Sequence, residues 1–452
     1  MNFHLYIGRI LWYAARINTQ EVPRTMKIHD DQYNAYCAIL RKELIPATGC
    51  TEPIALAYCA AKARQTLGAM PHEVRVQASG NIIKNVKSVT VPNTSGLKGI
   101  EAAVAAGIVA GDAGRELEVI HFVSDAKRVE IRRYMETTPI AVEPLESGAL
   151  LDMIVTVRAD GHEASVRIRH SHTHIASILM DGRTCYCSHE GVDEGENDVD
   201  YGLLTIRDIC AFADCLRCED VAEVLDRQID YNTAIANEGL KNGWGAEIGG
   251  VLKSVYGDDV RVRAKAMAAA GSDARMSGCE LPVVINSGSG NQGLTVSLPV
   301  IEYAREYGKT KDDLYRALAV ANLASIHQKA SIGKLSAYCG AVTAGSGAGA
   351  GIAYLLTGDY ETVAHTIVNA LAVVSGIVCD GAKPSCAAKI ASSVDAGILG
   401  FEMYRRGRQF YGGDGIVSKG IENTIRNVGE LGRDGMRETD RKILQIMTRS
   451  QA

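Results

Sequence analysis

The sequence lacks several features that would assign it to a class of protein at once. It has no tract of basic residues and its net charge is −5, so neither a nucleic-acid groove nor a patch for an anionic membrane is expected. Proline is scarce, with 10 residues against 46 glycines, and the Ala/Gly-rich stretches favour closely packed helices over loops. Residues 1–25 contain no apolar core long enough for a secretory signal. No G-x-S-x-G, Walker or H-E-x-x-H motif occurs.

The longest uncharged run, from Tyr338 to Gly358, has the length of a membrane span but is rich in Gly, Ser and Thr. We therefore expect it to form a buried helix. The chain has 12 cysteines and no signal peptide, which indicates a reducing compartment and a cytoplasmic protein. In such a compartment cysteines serve as metal ligands, catalytic groups or core residues more often than in disulfides.

The spacing of apolar residues predicts an α+β fold. We expect an N-terminal α+β domain with an antiparallel sheet, followed by a mostly α-helical, Ala/Gly-rich domain. The predicted domains are an N-terminal extension (1–26), the α+β domain (27–200) and the helical domain (201–452). The elements predicted in the first half are helices over 29–44, 51–67 and 97–111, strands over 73–91 and 118–124, and a hairpin that turns at Asp160-Gly161.

Three cysteines of the second half form the clearest metal-binding pattern. Cys379 and Cys386 lie in GIVCDGAKPSC, where Gly381 and Pro384 interrupt the helix, and Cys339 heads another helix. Their C-x₆-C spacing is neither that of a zinc ribbon nor that of a ferredoxin, but a loop that turns back can bring two thiolates to one centre. With Cys339 as a third ligand, one iron of a [4Fe–4S] cluster would stay open to substrate. The commoner interpretation of the spacing alone is that these are core cysteines.

Cys50 lies in PATGCTEP, at the start of the helix predicted from Thr51. The free N–H groups and the positive end of the helix dipole meet there and lower the pKa of a thiol. Glu52 lies in the first turn, where its charge stabilises the helix. The alternative is that Cys50 is a small loop residue and Glu52 an ordinary charge at a helix end.

Three histidines, His170, His172 and His174, alternate along the predicted strand over 163–180. Their face continues that of the apolar residues on the same strand, so we expect them to point into a core or a cleft. A single histidine there would be a core residue, whereas three in a row indicate a cleft. Two neighbouring imidazoles could also bind a metal.

The segment from Gly288 to Gly293 matches the G-x-G-x-x-G pattern. A dinucleotide fold needs a second strand that ends in an acid about 20 residues further on, and no such strand is predicted. A glycine-rich turn at a helix N-terminus can instead hold a substrate carboxylate with its backbone N–H groups. The candidate substrate-binding residues are Ser289, Gly290, Asn291 and Gln292. Zinc sites at Cys185-x-Cys187 and Cys215-x₂-Cys218 are weaker possibilities than core or surface cysteines.

Four segments carry a resemblance to a known family: TGCTEPIALAY, SGSGNQGLTVSLPV, SAYCGAVTAGSGAGAG and CDGAKPSCAAKI. In these segments the chain resembles the L-cysteine desulfidases and, more distantly, the iron–sulfur L-serine dehydratases. The resemblance covers about residues 27–450. It implies a [4Fe–4S] lyase, independent of pyridoxal phosphate, that converts L-cysteine to pyruvate, sulfide and ammonia. It also implies that Cys339, Cys379 and Cys386 are the cluster ligands and that Cys50 is catalytic.

These expectations leave several alternatives open. The serine dehydratases have a longer spacing between their last two cluster cysteines, which favours a desulfidase over an L-serine or L-threonine dehydratase. A non-catalytic iron–sulfur protein is the alternative of another class, and a fourth cysteine at the cluster would favour it. His172 and Cys50 are the candidate bases, with Glu52 orienting or relaying a proton. The expected partner is an amino acid; the oligomeric state stays open, a homodimer being one option.

Overall fold

A computed structural model describes residues 28–149, 151–188, 199–333 and 336–448 and confirms the predicted α+β fold. The predicted N-terminal extension lies outside these residues. The strands are, in chain order, β1 (Pro46–Thr48), β2 (Glu73–Ala78), β3 (Ile140–Pro144), β4 (Asp152–Ala159), β5 (His162–Arg169), β6 (Ile175–Met180), β7 (Arg183–Cys187) and β8 (Pro282–Val284).

The helices of the first half are α1 (Asp30–Glu43), α2 (Thr51–Leu67), α3 (Gly80–Val86), α4 (Gly99–Ala110) and α5 (Asp125–Thr137). The second half is mostly helical, as predicted. Its helices are α6 (Ile206–Cys215), α7 (Ala222–Lys241), α8 (Ile248–Tyr256), α9 (Val260–Met276), α10 (Gly290–Glu306), α11 (Lys311–Ile332), α12 (Ala341–Thr357), α13 (Tyr360–Val373), α14 (Cys386–Arg405), α15 (Ile421–Glu430) and α16 (Arg437–Thr448).

The main sheet has six strands in the order β3-β2-β4-β5-β6-β7. Its neighbouring strands are antiparallel, as predicted, except that β2 and β3 are parallel. The predicted hairpin is β4–β5. Its turn residues Asp160 and Gly161 have φ angles of 53° and 82°. Both are positive, as the favoured two-residue hairpin turn requires.

The predicted strand over 73–91 is wrong beyond its first six residues. β2 ends at Ala78, and α3 begins at Gly80. Ile82 and Val86 lie four residues apart and are both fully buried, so the apolar spacing of this segment is that of a helix.

The predicted strand over 118–124 is also wrong. A short 3₁₀ helix over Ala113–Glu118 ends there and is followed by turns. Val119 and Ile120 are buried side by side in the core without strand pairing. Two adjacent buried residues do not fit a half-exposed strand, in which neighbouring side chains point to opposite faces.

The long strand predicted over 163–180 is divided by a bend. β5 ends at Arg169, the next residue has a left-handed φ of 70°, and β6 begins at Ile175. The N–H of Arg169 donates to the carbonyl of His174 across the bend, at 3.1 Å. The prediction that three histidines alternate on one strand is therefore wrong, because the bend contains His170, His172 and His174.

Small residues let the helices of the second half approach closely, as predicted. A Cβ at Gly397 on α14 would lie 2.2 Å from the carbonyl oxygen of Gly345 on α12. The uncharged run from Tyr338 to Gly358 contains α12, which is buried along almost its whole length. In the described part of the chain, no helix has both the length and the apolar character that a membrane crossing needs.

The apolar side chains form two main cores. One lies between the large sheet and helices α2, α4 and α5, and the other lies among the helices of the second half. Buried residues from Tyr33 to Ala47 pack in the second core although they precede the sheet in sequence. The domain boundaries given above remain predictions.

Candidate active site

Two short strands join the halves of the chain at the candidate site. β1 pairs antiparallel with β8. After β1 the chain begins α2 at Thr51, and after β8 it begins α10 at Gly290. The hydroxyl of Thr51 donates a hydrogen bond of 3.3 Å to the carbonyl of Gly288, so the N-termini of the two helices lie next to each other.

Cys50 is the N-cap residue of α2, in extended backbone conformation, and only 5% of it is exposed. Its thiol donates to Oε2 of Glu52 at 3.2 Å. Burial, and then the charge of Glu52, hold the pKa of the Cys50 thiol far above its usual value. The expectation that the helix N-terminus lowers this pKa is therefore wrong, because burial outweighs the dipole.

Glu52 lies in the first turn of α2 and is almost completely buried. It accepts hydrogen bonds from Cys50, from the hydroxyl of Thr51 at 3.0 Å and from the amide of Asn85 at 3.0 Å. Burial alone would raise its pKa, but the charge of His172 and these donors together lower it below the usual value. Glu52 is thus an ionised carboxylate in a buried site.

His172 faces this carboxylate from the bend between β5 and β6. A Cβ at Gly288 would lie 3.9 Å from Cε1 of the imidazole, so His172 also adjoins the glycine-rich turn. The other two histidines lie elsewhere. His170 is exposed, and both ring nitrogens of His174 are engaged, with the carbonyl of Arg169 and the hydroxyl of Ser188.

The glycines of the G-x-G-x-x-G segment have packing roles. Gly288 has a φ of 76°, and a Cβ at Gly293 would lie 2.0 Å from the carbonyl oxygen of Val284 on β8. Ser289 is the N-cap residue of α10, and Asn291 and Gln292 lie in its first turn. Within the described residues β8 pairs only with β1, in antiparallel orientation, which is not the parallel arrangement of a dinucleotide fold.

Arg275, at the end of α9, is a neighbour of this turn that the sequence patterns missed. It is 2% exposed, and its Nη1 donates to Oδ1 of Asn291 at 3.1 Å. A Cβ at Gly290 would lie 2.4 Å from Nε of Arg275, so only glycine fits beside the guanidinium. A charged residue within the small-residue stretch AAAGSDARM is the one signal that could have identified it.

The three predicted cluster ligands lie close together. The backbone pairs antiparallel at Tyr338 and Val378, and this pairing places Cys339 and Cys379 side by side. A hydrogen bond between the two side chains and then burial raise the pKa of Cys339, while the same bond lowers the pKa of Cys379. Cys386 is the first residue of α14 and lies close enough to Cys339 to raise the pKa of that thiol.

Lysines surround these thiols. Lys329 is buried beside Cys339 and Cys379, and its burial lowers its pKa to about 8. Lys84 of α3 is buried in an ion pair with Asp440 of α16, and its charge also lowers the pKa of Cys379. Positive charge of this kind stabilises thiolates over thiols.

The chemistry of these donors fits an iron–sulfur cluster. Soft thiolates within a positively charged, buried setting are the ligands that such clusters use. Among residues 28–149, 151–188, 199–333 and 336–448, no three His, Cys, Asp or Glu side chains are arranged to hold a single metal ion. The thiolates of a cluster bind separate irons, so they do not need to meet at one ion.

The start of α2, the first turn of α10 and the cysteine loops lie next to one another. Cys50 packs in an apolar group with Met276 and Val89, and Cys386 packs against that group. A Cβ at Gly340, next to Cys339, would lie 2.4 Å from Cδ of Gln292. The start of α2 and the first turn of α10 thus meet the cysteine loops at the junction of the two halves of the chain, and the turn that carries His172 adjoins them at Gly288.

The remaining cysteine pairs lie away from this junction. Cys185 and Cys187 are exposed on β7, an edge strand of the main sheet. Cys215 ends α6, where its thiol donates to the carbonyl of Phe212, and Cys218 is half-buried.

Comparisons with known proteins agree with the resemblance. Residues 114–445 match the family described as the serine dehydratase alpha chain. The chain is 57% identical to a UPF0597 protein of Desulfitobacterium hafniense, over 93% of this chain and 98% of that protein. It is 51% identical to a UPF0597 protein of Lachnoclostridium phytofermentans, over 92% and 99% of the two chains. The chain therefore belongs to the serine dehydratase alpha chain family.

Proposed function

We propose that the protein is an L-cysteine desulfidase, a carbon–sulfur lyase that acts in the cytoplasm with a [4Fe–4S] cluster. The observation that carries the proposal is the proximity of three thiols to a buried group of acid–base side chains. The thiols are those of Cys339, Cys379 and Cys386, and the acid–base group consists of Cys50, Glu52 and His172. Family membership supports a lyase, and the C-x₆-C spacing supports the desulfidase branch.

Cys339, Cys379 and Cys386 would hold the cluster. When bound, a cluster with three protein ligands supplies a Lewis-acidic iron that stabilises negative charge on the sulfur or carboxylate of a substrate. The protein's part is to exclude water and surround the thiolates with positive charge, which Lys84 and Lys329 provide.

The reaction removes the Cα proton of L-cysteine and breaks the Cβ–S bond, whose electron pair leaves with the sulfur. The proton needs an acceptor within hydrogen-bond reach of Cα, and the proposed acceptors are Cys50 and His172. The carboxylate of Glu52 accepts from Cys50 and faces His172, so it is proposed to orient both candidate acceptors. The aminoacrylate product tautomerises to an imine, and water hydrolyses this imine to pyruvate and ammonia.

The first turn of α10 is proposed to bind the substrate. Gly290, Asn291 and Gln292 place backbone N–H groups at the positive end of a helix of 17 residues, a favourable position for a carboxylate. Ser289 would contribute its hydroxyl, since its own N–H donates to the carbonyl of Asn286 at 3.0 Å. The carbonyl oxygen of the Gln292 side chain is buried and has no hydrogen-bond partner among the described residues. A substrate ammonium group could supply that donor.

Two observations favour other functions. The matching family is described as a serine dehydratase, which supports elimination of water from L-serine or L-threonine by the same residues. Cys50 packs near Cys386, and a fourth thiolate at the cluster would favour a non-catalytic iron–sulfur protein.

Turnover by anaerobically reconstituted protein distinguishes these functions. Pyruvate and sulfide are measured with L-cysteine, and pyruvate or 2-oxobutanoate with L-serine and L-threonine. The proposal expects the highest kcat/KM for L-cysteine, with equal amounts of sulfide and pyruvate. Preference for L-serine would identify a dehydratase, and a full cluster without turnover of any amino acid would support the non-catalytic alternative.

A further inference from the structure

Arg275 is a buried cation, and the described part of the chain places no carboxylate counter-ion at its guanidinium. Among the described residues its one hydrogen bond is to the neutral side chain of Asn291, and its Nε is buried with no partner. No carboxylate of the described chain forms an ion pair with it. Glu52, a nearby buried acid, already accepts from Cys50, Thr51 and Asn85 and faces the charge of His172.

A buried guanidinium without an anion is strongly unfavourable, because burial removes its hydration and leaves its donors unused. The surrounding structure nevertheless holds Arg275 in place. Gly290 leaves room for the guanidinium at the N-terminus of α10, and its charge acts on Cys50. The group thus lies between the proposed base and the proposed carboxylate site, where an anionic ligand would complete its hydrogen bonds.

We propose that Arg275 binds the α-carboxylate of the substrate and restricts the enzyme to amino acids with a free carboxyl group. The inference rests on the proposed function, because it assumes that the substrate lies between Cys50 and the first turn of α10. The planar guanidinium matches a carboxylate in two parallel hydrogen bonds, and the backbone N–H groups of α10 add to them. Asn291 then has a positioning role, since it holds the guanidinium through Nη1.

The test compares substrates that differ only at the carboxyl group. L-cysteine and L-cysteinamide are assayed anaerobically with the wild-type enzyme and with Arg275→Gln. The control is Arg261→Gln, on the same helix, whose side chain is 56% exposed and pairs with Asp259. Because hydrogen bonds to charged groups contribute strongly to binding, we expect Arg275→Gln to raise the KM for L-cysteine about 10–150-fold. The preference for L-cysteine over L-cysteinamide should fall by a similar factor, with the iron content unchanged.

A binding measurement keeps this test separate from the proposed function. L-alanine has no β-leaving group, so calorimetric titration with L-alanine and L-alaninamide reports carboxylate recognition whether or not the protein catalyses elimination. The wild-type and Arg261→Gln proteins should prefer L-alanine, and Arg275→Gln should not. If Arg275→Gln keeps the wild-type preference, the assignment is wrong. If it instead loses iron while its preference stays unchanged, Arg275 is a counter-ion of the cluster, and the assignment is wrong in that case too.

The thermal stability of Arg275→Gln provides a second readout. A residue that only maintains structure would lower the Tm when replaced. A buried cation that serves ligand binding should leave the Tm of the ligand-free protein unchanged or raise it, because its removal relieves an unfavourable burial. A variant that does not fold would therefore contradict the proposal, and Arg275→Lys, which keeps the charge but loses the planar fork, should show an intermediate preference.

Discussion

Replacing Glu52 by Gln tests whether its carboxylate orients the candidate bases Cys50 and His172. The substitution keeps the size of the side chain and removes one negative charge. In the wild type, Oε2 accepts from Cys50 at 3.2 Å and from Thr51 at 3.0 Å, and Oε1 accepts from Asn85 at 3.0 Å. The lowered pKa of Glu52 means that these donors face a carboxylate at neutral pH.

The expected effects on stability and on catalysis differ in size. Hydrogen bonds to a charged acceptor contribute about 1.5–3 kcal/mol and those to a neutral one about 0.5–1.5 kcal/mol. The single oxygen of Gln can keep the bonds from Cys50 and Thr51, each weakened by about 1 kcal/mol, but its NH₂ group cannot accept from Asn85, so that bond of about 1.5–3 kcal/mol is lost. The variant no longer buries a charge, which offsets part of that loss. We therefore expect the free energy of unfolding to fall by at most about 5 kcal/mol, whereas loss of the carboxylate that orients the bases should lower kcat about 10²–10⁴-fold.

The assay is anaerobic sulfide release from L-cysteine, normalised to the iron content of each preparation. Glu101→Gln is a matched control, because Glu101 lies in the first turn of α4 but is exposed. It should retain wild-type kcat. If Glu52→Gln keeps its iron and its kcat stays within about twofold of the wild type, well below the loss expected for a general base, Glu52 does not orient the base.

Three further substitutions have expected outcomes. His172→Ala should lower kcat about 10²–10⁴-fold with little change in Tm, and His170→Ala, at the exposed end of the same bend, should not; equal kcat values would remove His172 from the mechanism. Cys50→Ser should keep the iron content and lose most activity, whereas loss of iron, measured colorimetrically, would identify Cys50 as a ligand. Burial by itself would raise the pKa of Asp152. Hydrogen bonds from Arg167 and others, together with the charges of Arg167 and Arg169, outweigh burial and lower this pKa. The ionised form of Asp152 therefore stabilises the protein above the unfolded pKa of about 3.9, and this contribution is lost as the pH falls through the lower folded value. Asp152→Asn should destabilise the protein by about 1–3 kcal/mol at pH 7 and by less in acid; chemical denaturation at both pH values measures this, and an equal loss at both would contradict it.

Local sequence signals predicted the structure correctly where a single segment determines its own conformation. Thr51-Glu52-Pro53 marked the start of α2, and Asp160-Gly161 marked a hairpin turn whose two φ angles are positive. The bend after β5 gave no such signal, because a left-handed φ is uncommon for any residue other than glycine, and a histidine at position 170 does not by itself mark a turn. His172 reaches the site by that bend and not by strand alternation.

Contacts between distant segments account for what the sequence did not predict. Asn85 and Lys84 lie on α3, where the alternating apolar residues led to the wrong prediction of a strand. Lys84 forms an ion pair with Asp440, which lies 356 residues further along the chain. Arg275 contacts Gly290 and Asn291 across the connection between α9 and α10, which contains β8. The high pKa of Cys50 depends on burial, and the sequence of a helix N-terminus does not show how deeply its residues are buried.

The iron and sulfide content of anaerobically purified protein tests the central claim most directly. The wild type should contain about four irons and four sulfides per chain and show the visible absorption of a [4Fe–4S] cluster. Cys379→Ala should lose most of both, whereas Cys210→Ala, at a buried cysteine of α6, should keep them. Equal iron and sulfide in the wild type and in Cys379→Ala would contradict the cluster assignment and the elimination chemistry built on it.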